Sequence, residues 1–172
     1  MDVYEAIYGR RSVRNFDSVK DVPPELVTKL LEAACQAPSA GNIQSWRFWV
    51  IRDPSIKEGL VRAALGQSFI AEAPVVIVVC TDLRACSSGY GTRGTTLYAI
   101  QDTAAAIENL LLAAWAEGLG TCWVGAFDER RASDLLDLPP HIRPVAIVPL
   151  GYPALARPKP SRRSPLEFTE FK

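Results

Sequence analysis

Residues 96–118 narrow most sharply what this chain can fold into. Ala104, Ala105, Ala106, Leu110, Leu111, Leu112, Ala113 and Ala114 place apolar side chains over most of a helix's circumference, which predicts a long, central helix. Gly118 and Gly120 end it. Around this element the pattern predicts a helix over residues 2–9 with Asp2 as N-cap. Pro23-Pro24 opens a second, whose apolar positions Leu26, Val27, Leu30, Leu31 and Ala34 recur at helical spacing and which stops near Pro38. Residues 46–51 read as a strand, 54–65 as a helix and 74–80 as a fully buried strand. Residues 121–127 are strand-like, Asp128 caps a short helix to Leu136, and 142–150 form a last buried strand.

Strands and helices alternate unevenly, with no repeat and no low-complexity linker, so residues 1–172 are expected to be one domain. With 48% hydrophobic residues the chain can bury a sizeable core without staples. Residues 153–172, rich in Pro and basic residues, lack periodicity and read as an extended arm. Burying Leu166, Phe168 and Phe171 calls for a partner subunit.

Nineteen basic residues balance nineteen acidic ones, so bulk charge predicts no affinity for nucleic acid or anionic membranes. No leader-like N-terminus and no bilayer-length apolar run is seen, and a cytoplasmic location is expected. Cys35, Cys80, Cys86 and Cys122 are widely spaced and read as reduced, and with His141 as the single histidine neither a metal site nor a His-dependent triad is expected. His141 itself reads as a surface or strand-edge residue.

Gly89-Tyr90-Gly91-Thr92-Arg93-Gly94 matches the G-x-G-x-x-G fingerprint, but its first glycine lies well past the preceding strand. The acidic residue due about twenty positions later falls at Glu108, inside the long helix. The stretch is therefore read as a mobile loop.

Four other stretches carry chemistry. Arg10-Arg11-Ser12-Val13-Arg14 is either a solvated basic loop or a phosphate site, where guanidinium forks bind oxyanions and a hydroxyl adds a hydrogen bond. The stretch from Ala37-Pro38-Ser39-Ala40-Gly41-Asn42 to Trp46 has turn chemistry, yet Asn42, Gln44 and Trp46 would also suit a planar heterocycle. Gly125 interrupts the apolar run Cys122-Trp123-Val124, as a bulge or where a ligand nears the backbone. Arg162-Arg163 is a second basic pair that could meet the first in space.

In this order the motifs resemble the nitroreductase family of FMN-dependent oxidoreductases over essentially the whole chain. The R-R-S-x-R-x-F pattern is met by Arg10, Arg11, Ser12, Arg14 and Phe16, and A-P-S-x-x-N-x-Q-x-W by Ala37, Pro38, Ser39, Asn42, Gln44 and Trp46. Gln67 with Ala73-Pro74, Gln101-Asp102 at the long helix, Gly118-Leu119-Gly120 with Trp123 and Gly125, and Arg162-Arg163 with Pro165-Leu166-Glu167 complete it.

The resemblance implies an α+β, three-layer fold with a central, mostly antiparallel sheet flanked by helices. It also implies an intertwined homodimer whose C-terminal arm packs on the partner, with FMN at the subunit interface. Arg10, Ser12 and one or both of Arg162 and Arg163 would hold the phosphate, with Arg11 of uncertain duty. Arg14 would lie by the pyrimidine edge, where reduction places negative charge. Pro38, Ser39, Ala40 and Asn42 would come from the other subunit, and Gln67 and Trp123 would complete the cofactor contacts. Backbone N–H groups around Val124 and Gly125 would face flavin N5 and O4.

The implied reaction passes hydride from NADH or NADPH through N5 to a small acceptor, a nitroaromatic or quinone, by a ping-pong mechanism without a protein acid. Alternatives are a specialised member acting on a dedicated substrate or on the flavin itself, and a non-catalytic FMN-binding module. Ser45 departs from a proline common in the family's turn. The short 84–97 stretch leaves the substrate open.

Overall fold

The computed structural model describes residues 1–155 and 158–172; residues 156 and 157, within the expected arm, lie outside the described residues. The first helix, α1 (Val3–Gly9), starts in a capping box in which Asp2 and Glu5 satisfy each other's backbone N–H groups. Helix α2 (Pro24–Cys35) opens on Pro24, whose fixed φ and missing N–H suit a first helical turn. Helix α3 (Pro54–Ala63) is capped by Asp53, which accepts from the Ser55 and Ile56 N–H groups. A single-turn helix, α4 (Phe69–Glu72), follows it.

Strands β1 (Trp46–Ile51), β2 (Val75–Asp82), β3 (Gly120–Thr121) and β4 (Ile142–Gly151) form one sheet in the order β1-β2-β4-β3 with every neighbour antiparallel. On β2 the pleat sends Val75, Ile77 and Val79 into one core with α2 and the long helix α6 (Ala99–Ala116). It sends Val76, Val78 and Cys80 into a second core with α3, α4 and α7 (Glu129–Leu135). Because helices cover both faces, β2 is apolar at successive positions rather than alternating. The arrangement is a three-layer α+β fold with an antiparallel central sheet. Helix α6 is central, as its composition predicts, with Ala106, Ile107, Leu110, Leu111 and Ala114 buried. Its other side leaves Ala104, Ala105, Leu112 and Ala113 half-buried.

Three expectations are corrected. Residues 84–97 are no loop: α5 (Leu83–Arg93), capped by Asp82, runs into a five-residue π-helical turn (Gly94–Tyr98) that leads straight into α6. Two glycines allow this. Gly91, at φ 54° and ψ −137°, kinks α5 where its two helical pieces meet, and Gly94 packs so closely that a Cβ there would clash with the Cys86 carbonyl oxygen. Residues 121–127 are likewise no continuous strand. Only Gly120–Thr121 pairs as β3, and Val124 then meets Ile147 in an isolated bridge of the same register. Between them stands Pro149, which has no N–H to give to the ladder. Finally, the arm carries a short 3-10 turn (Pro165–Phe168) closed by its own capping box between Ser164 and Glu167.

All four cysteines are free. Burial pushes the Cys80 thiol up to about 12 and raises that of Cys122 as well. His141 is half-buried at the start of β4, with Nδ1 3.3 Å from Arg84. Among the described residues no helix is long and apolar enough to cross a membrane.

Candidate active site

At Arg10 the chain leaves α1 and becomes extended (φ −55°, ψ 137°). Extended backbone turns alternate side chains to opposite sides, so Val13 is buried while Ser12 and Arg14 are exposed; Phe16 is buried beyond them. The segment is stitched to the far edge of the sheet. Val13 N–H donates to the Thr121 carbonyl at 2.8 Å, Asp17 N–H to Tyr152 at 2.8 Å, and Ala154 N–H to Asn15 at 3.1 Å. This close approach needs Gly120, since a Cβ there would fall 2.7 to 2.9 Å from the Val13 side chain.

Arg10, Arg11, Ser12, Arg14 and Arg162 thereby surround one cavity of about 370 Å³, closed by Pro158 and Pro160. The volume is within the range of roughly 300–1,000 Å³ of small-molecule sites. Each inner guanidinium is held by a different side chain. Arg10 pairs through Nε with Glu108 of α6 at 3.3 Å; Arg11 lies 4.7 Å over the Trp115 ring of α6 and donates to the Gly9 carbonyl; Arg14 lies 5.8 Å from the Phe69 ring of α4. Arg163 instead turns to its own turn, with Glu167 at 2.8 Å and Phe168 at 4.3 Å. Of the expected basic pair, Arg162 therefore faces the cavity. Four permanently charged forks and a hydroxyl make this an oxyanion site.

Beside Arg14 runs the stretch from Cys122 to Gly125. The Cys122 thiol stays protonated at neutral pH because burial outweighs the pull of Arg14 and Ser12. Val124 donates its N–H to Ile147 at 2.9 Å and accepts back at 3.0 Å, so it has no N–H left for a ligand. Gly125 has no such partner among the described residues. It is exposed, and a Cβ there would meet nothing closer than Trp123 Nε1 at 3.9 Å. Its bare face is open to a close approach. Trp123 is exposed. Gln67 donates its amide to the Ala64 and Ala126 carbonyls at 3.0 and 3.1 Å, tying the end of α3 to this stretch and leaving Oε1 as its free group.

The 38–42 turn lies elsewhere on the chain. Pro38, Ser39 and Ala40 line a cleft with Tyr98, Gln101, Asp102 and Ala105, which shares no residue with the arginine cavity. Asn42 and Gln44 both adopt left-handed backbone (φ 58° and 53°) and bond to each other at 3.0 Å. Trp46 departs from the expected set: it is 5% exposed and packs into the core between the sheet and α2. Strand alternation explains this, as the aromatic residue starts β1 facing inward.

Glu108, Trp115, Phe69 and Asp102 are not among the expected site residues. The two acids on an otherwise apolar helix were the available signal. Among the described residues no group of three or more His, Cys, Asp or Glu side chains gathers as for a metal.

Residues 7–152 match the model of the Nitroreductase family. An NADH dehydrogenase from Thermus thermophilus is 38% identical, covering 97% of this chain and 94% of that one. An oxygen-insensitive NADPH nitroreductase from Salmonella typhimurium is 32% identical over 87% of this chain and 65% of its own length. Among solved structures, a protein from Exiguobacterium sibiricum in complex with FMN has the same fold, with a TM-score of 0.90 at 23% identity over 100% of this chain and 98% of that one.

Proposed function

The chain belongs to the nitroreductase family of oxidoreductases, and on that premise we propose that it is an FMN-dependent enzyme passing reducing equivalents from NADH or NADPH to a small acceptor such as a nitroaromatic or a quinone. The observation that carries this reading is the cavity in which Arg10, Arg11, Ser12, Arg14 and Arg162 converge. A phosphate monoester with up to two negative charges fits such a donor set better than any neutral ligand does.

The residues divide as follows. Arg10, Ser12 and Arg162 hold the phosphate, with Arg11 adding charge from its seat on Trp115. Arg14, fixed against Phe69, sets a permanent cation by the pyrimidine edge of the ring. The open face of Gly125 and its unpaired N–H receive the ring's N5 and O4 side, with Trp123 and Gln67 at its margin. Bound there, FMN would supply two-electron chemistry for hydride exchange between a nicotinamide and the acceptor. The protein contributes orientation and a fixed positive charge that favours the reduced ring, and no side chain needs to titrate.

Residues 1–172 form one FMN-binding domain, and the site is shared between two copies. Pro38, Ser39, Ala40 and Asn42 of one copy face the cofactor held by the arginines of the other, with the 153–172 arm packed on the partner. The separation of the two clefts within one chain supports this, as do the exposed Leu166, Phe168 and Phe171.

The test is anaerobic mixing of the purified yellow protein with NADH or NADPH. The visible flavin band is expected to bleach and to return on adding a nitroaromatic or quinone. A band that stays unbleached would leave a non-catalytic flavin carrier as the reading.

A further inference from the structure

The 38–42 turn is an unusual piece of backbone to leave unsupported. Gly41, Asn42 and, just past the turn, Gln44 all have positive φ (56°, 58° and 53°), and Gln44 bears a side chain that disfavours it. The residue at its N-cap, Ser39, gives no side-chain cap to the turn, because its hydroxyl oxygen accepts from Gln44 N–H at 3.0 Å. Ala40 N–H, the first donor of the turn, is taken instead by Asp102 Oδ1, which reaches it from α6 at 3.0 Å. Tyr90 of α5 sets its hydroxyl against Gly41, where a Cβ would lie 2.6 Å from it.

Asp102 is 6% exposed, and its second oxygen, Oδ2, is buried with no partner. Holding one N–H with a buried carboxyl is an expensive arrangement, since an amide would do it without the desolvated charge. The same side chain lines the cleft of Pro38, Ser39 and Ala40, which on the reading above faces the partner's cofactor.

We propose that Asp102 is a positioning residue of the flavin site: from α6 it fixes Ala40, and through Ala40 the 38–42 turn, in the shape that meets the isoalloxazine or ribityl part of the cofactor across the subunit boundary. The proposal rests on the shared FMN site inferred above. It assigns to Asp102 an effect on the ring and its linker, whereas Arg10 acts on the phosphate.

Those two assignments separate in one experiment. Amide exchange at Ala40 is measured on the cofactor-free protein, and FMN and riboflavin are titrated against the wild type, Asp102→Ala, Asp102→Asn and Arg10→Ala. Asp102→Ala is expected to speed Ala40 exchange and to weaken FMN and riboflavin by the same factor, about tenfold for one lost hydrogen bond. Asp102→Asn, whose amide oxygen still accepts from Ala40, is expected to recover most of both. Arg10→Ala is expected to weaken FMN alone.

Unchanged riboflavin affinity in Asp102→Ala overturns the positioning role, as does failure of Asp102→Asn to recover it. Unchanged FMN affinity in Arg10→Ala overturns the phosphate assignment instead, whatever Asp102 does. If Asp102→Ala does not fold, Asp102→Ser, one atom too short to reach Ala40, carries the same expectations.

Discussion

Four guanidinium groups around one cavity repel one another, and the chain holds three of them with unlike partners: a carboxylate for Arg10, an indole for Arg11 and a phenyl ring for Arg14. Among the described residues only Arg10 of the cluster has a carboxylate partner, so the cluster keeps net positive charge for an anion. Arg10→Ala is expected to weaken FMN by about 1.5–3 kcal/mol, the range for a charged hydrogen bond, whereas Arg163→Ala, whose guanidinium pairs inside the arm, should change it by less than about 0.5 kcal/mol. Fluorescence titration of the two variants checks both. Arg14→Ala should retain FMN but slow its reduction by at least about tenfold, measured by stopped flow under anaerobic conditions.

Asp102 makes a prediction in pH. Burial raises its pKa, against the opposing Ala40 hydrogen bond, so the folded state holds this proton more tightly than the unfolded chain does. Stability from this group is thus highest below the unfolded pKa and falls as pH rises through the window up to the folded one. The melting temperature of Asp102→Asn relative to wild type should therefore climb from acid to neutral pH. A difference that shrinks over that range would mean the carboxylate is better solvated than its burial implies.

At the scale of elements, the site depends on how closely the 10–17 segment lies against β3. Gly120→Ala puts a methyl group into Val13, and overpacking of this kind costs about 1–3 kcal/mol. The movement it forces is in the segment that bears the arginines, so FMN affinity should fall together with stability; calorimetry and titration of the same sample test the link. Intact FMN affinity in a destabilised Gly120→Ala protein would show that the strain relaxes elsewhere, for instance in the end of α6.

The pair α1 and α2 was legible in the sequence because caps and prolines act locally. The 83–98 stretch was not. Its glycines and hydroxyl residues have turn chemistry, and what makes them helical is the Asp82 cap together with packing against Ile43, Tyr98 and the 38–42 turn.

At the scale of the whole molecule, apolar surface remains uncovered in two regions. Val3, Tyr4, Ile7 and Tyr8 are exposed on α1, and Leu166, Phe168 and Phe171 on the arm, each at 45% or more. The shared site proposed above would put a second copy over this surface. Removing residues 164–172, which leaves Arg162 in place, is expected to shift the protein towards monomer by sedimentation velocity and to loosen FMN in parallel. A truncated protein that stays dimeric with full FMN affinity would place the interface elsewhere, on α1 or the half-buried side of α6.

What the sequence determined by itself were the properties that neighbours in the chain settle among themselves. These are the central apolar helix, the capped short helices and the buried β2 and β4 strands. The tertiary structure decided the properties that depend on distant segments. Pro149, facing Cys122, ended the ladder after Thr121; Glu167 drew Arg163 into the arm and left Arg162 for the cavity; Ile147 took the Val124 N–H and left that of Gly125. Residue type limits which bonds a side chain can make, but which partner arrives to make them is settled only when the layers close.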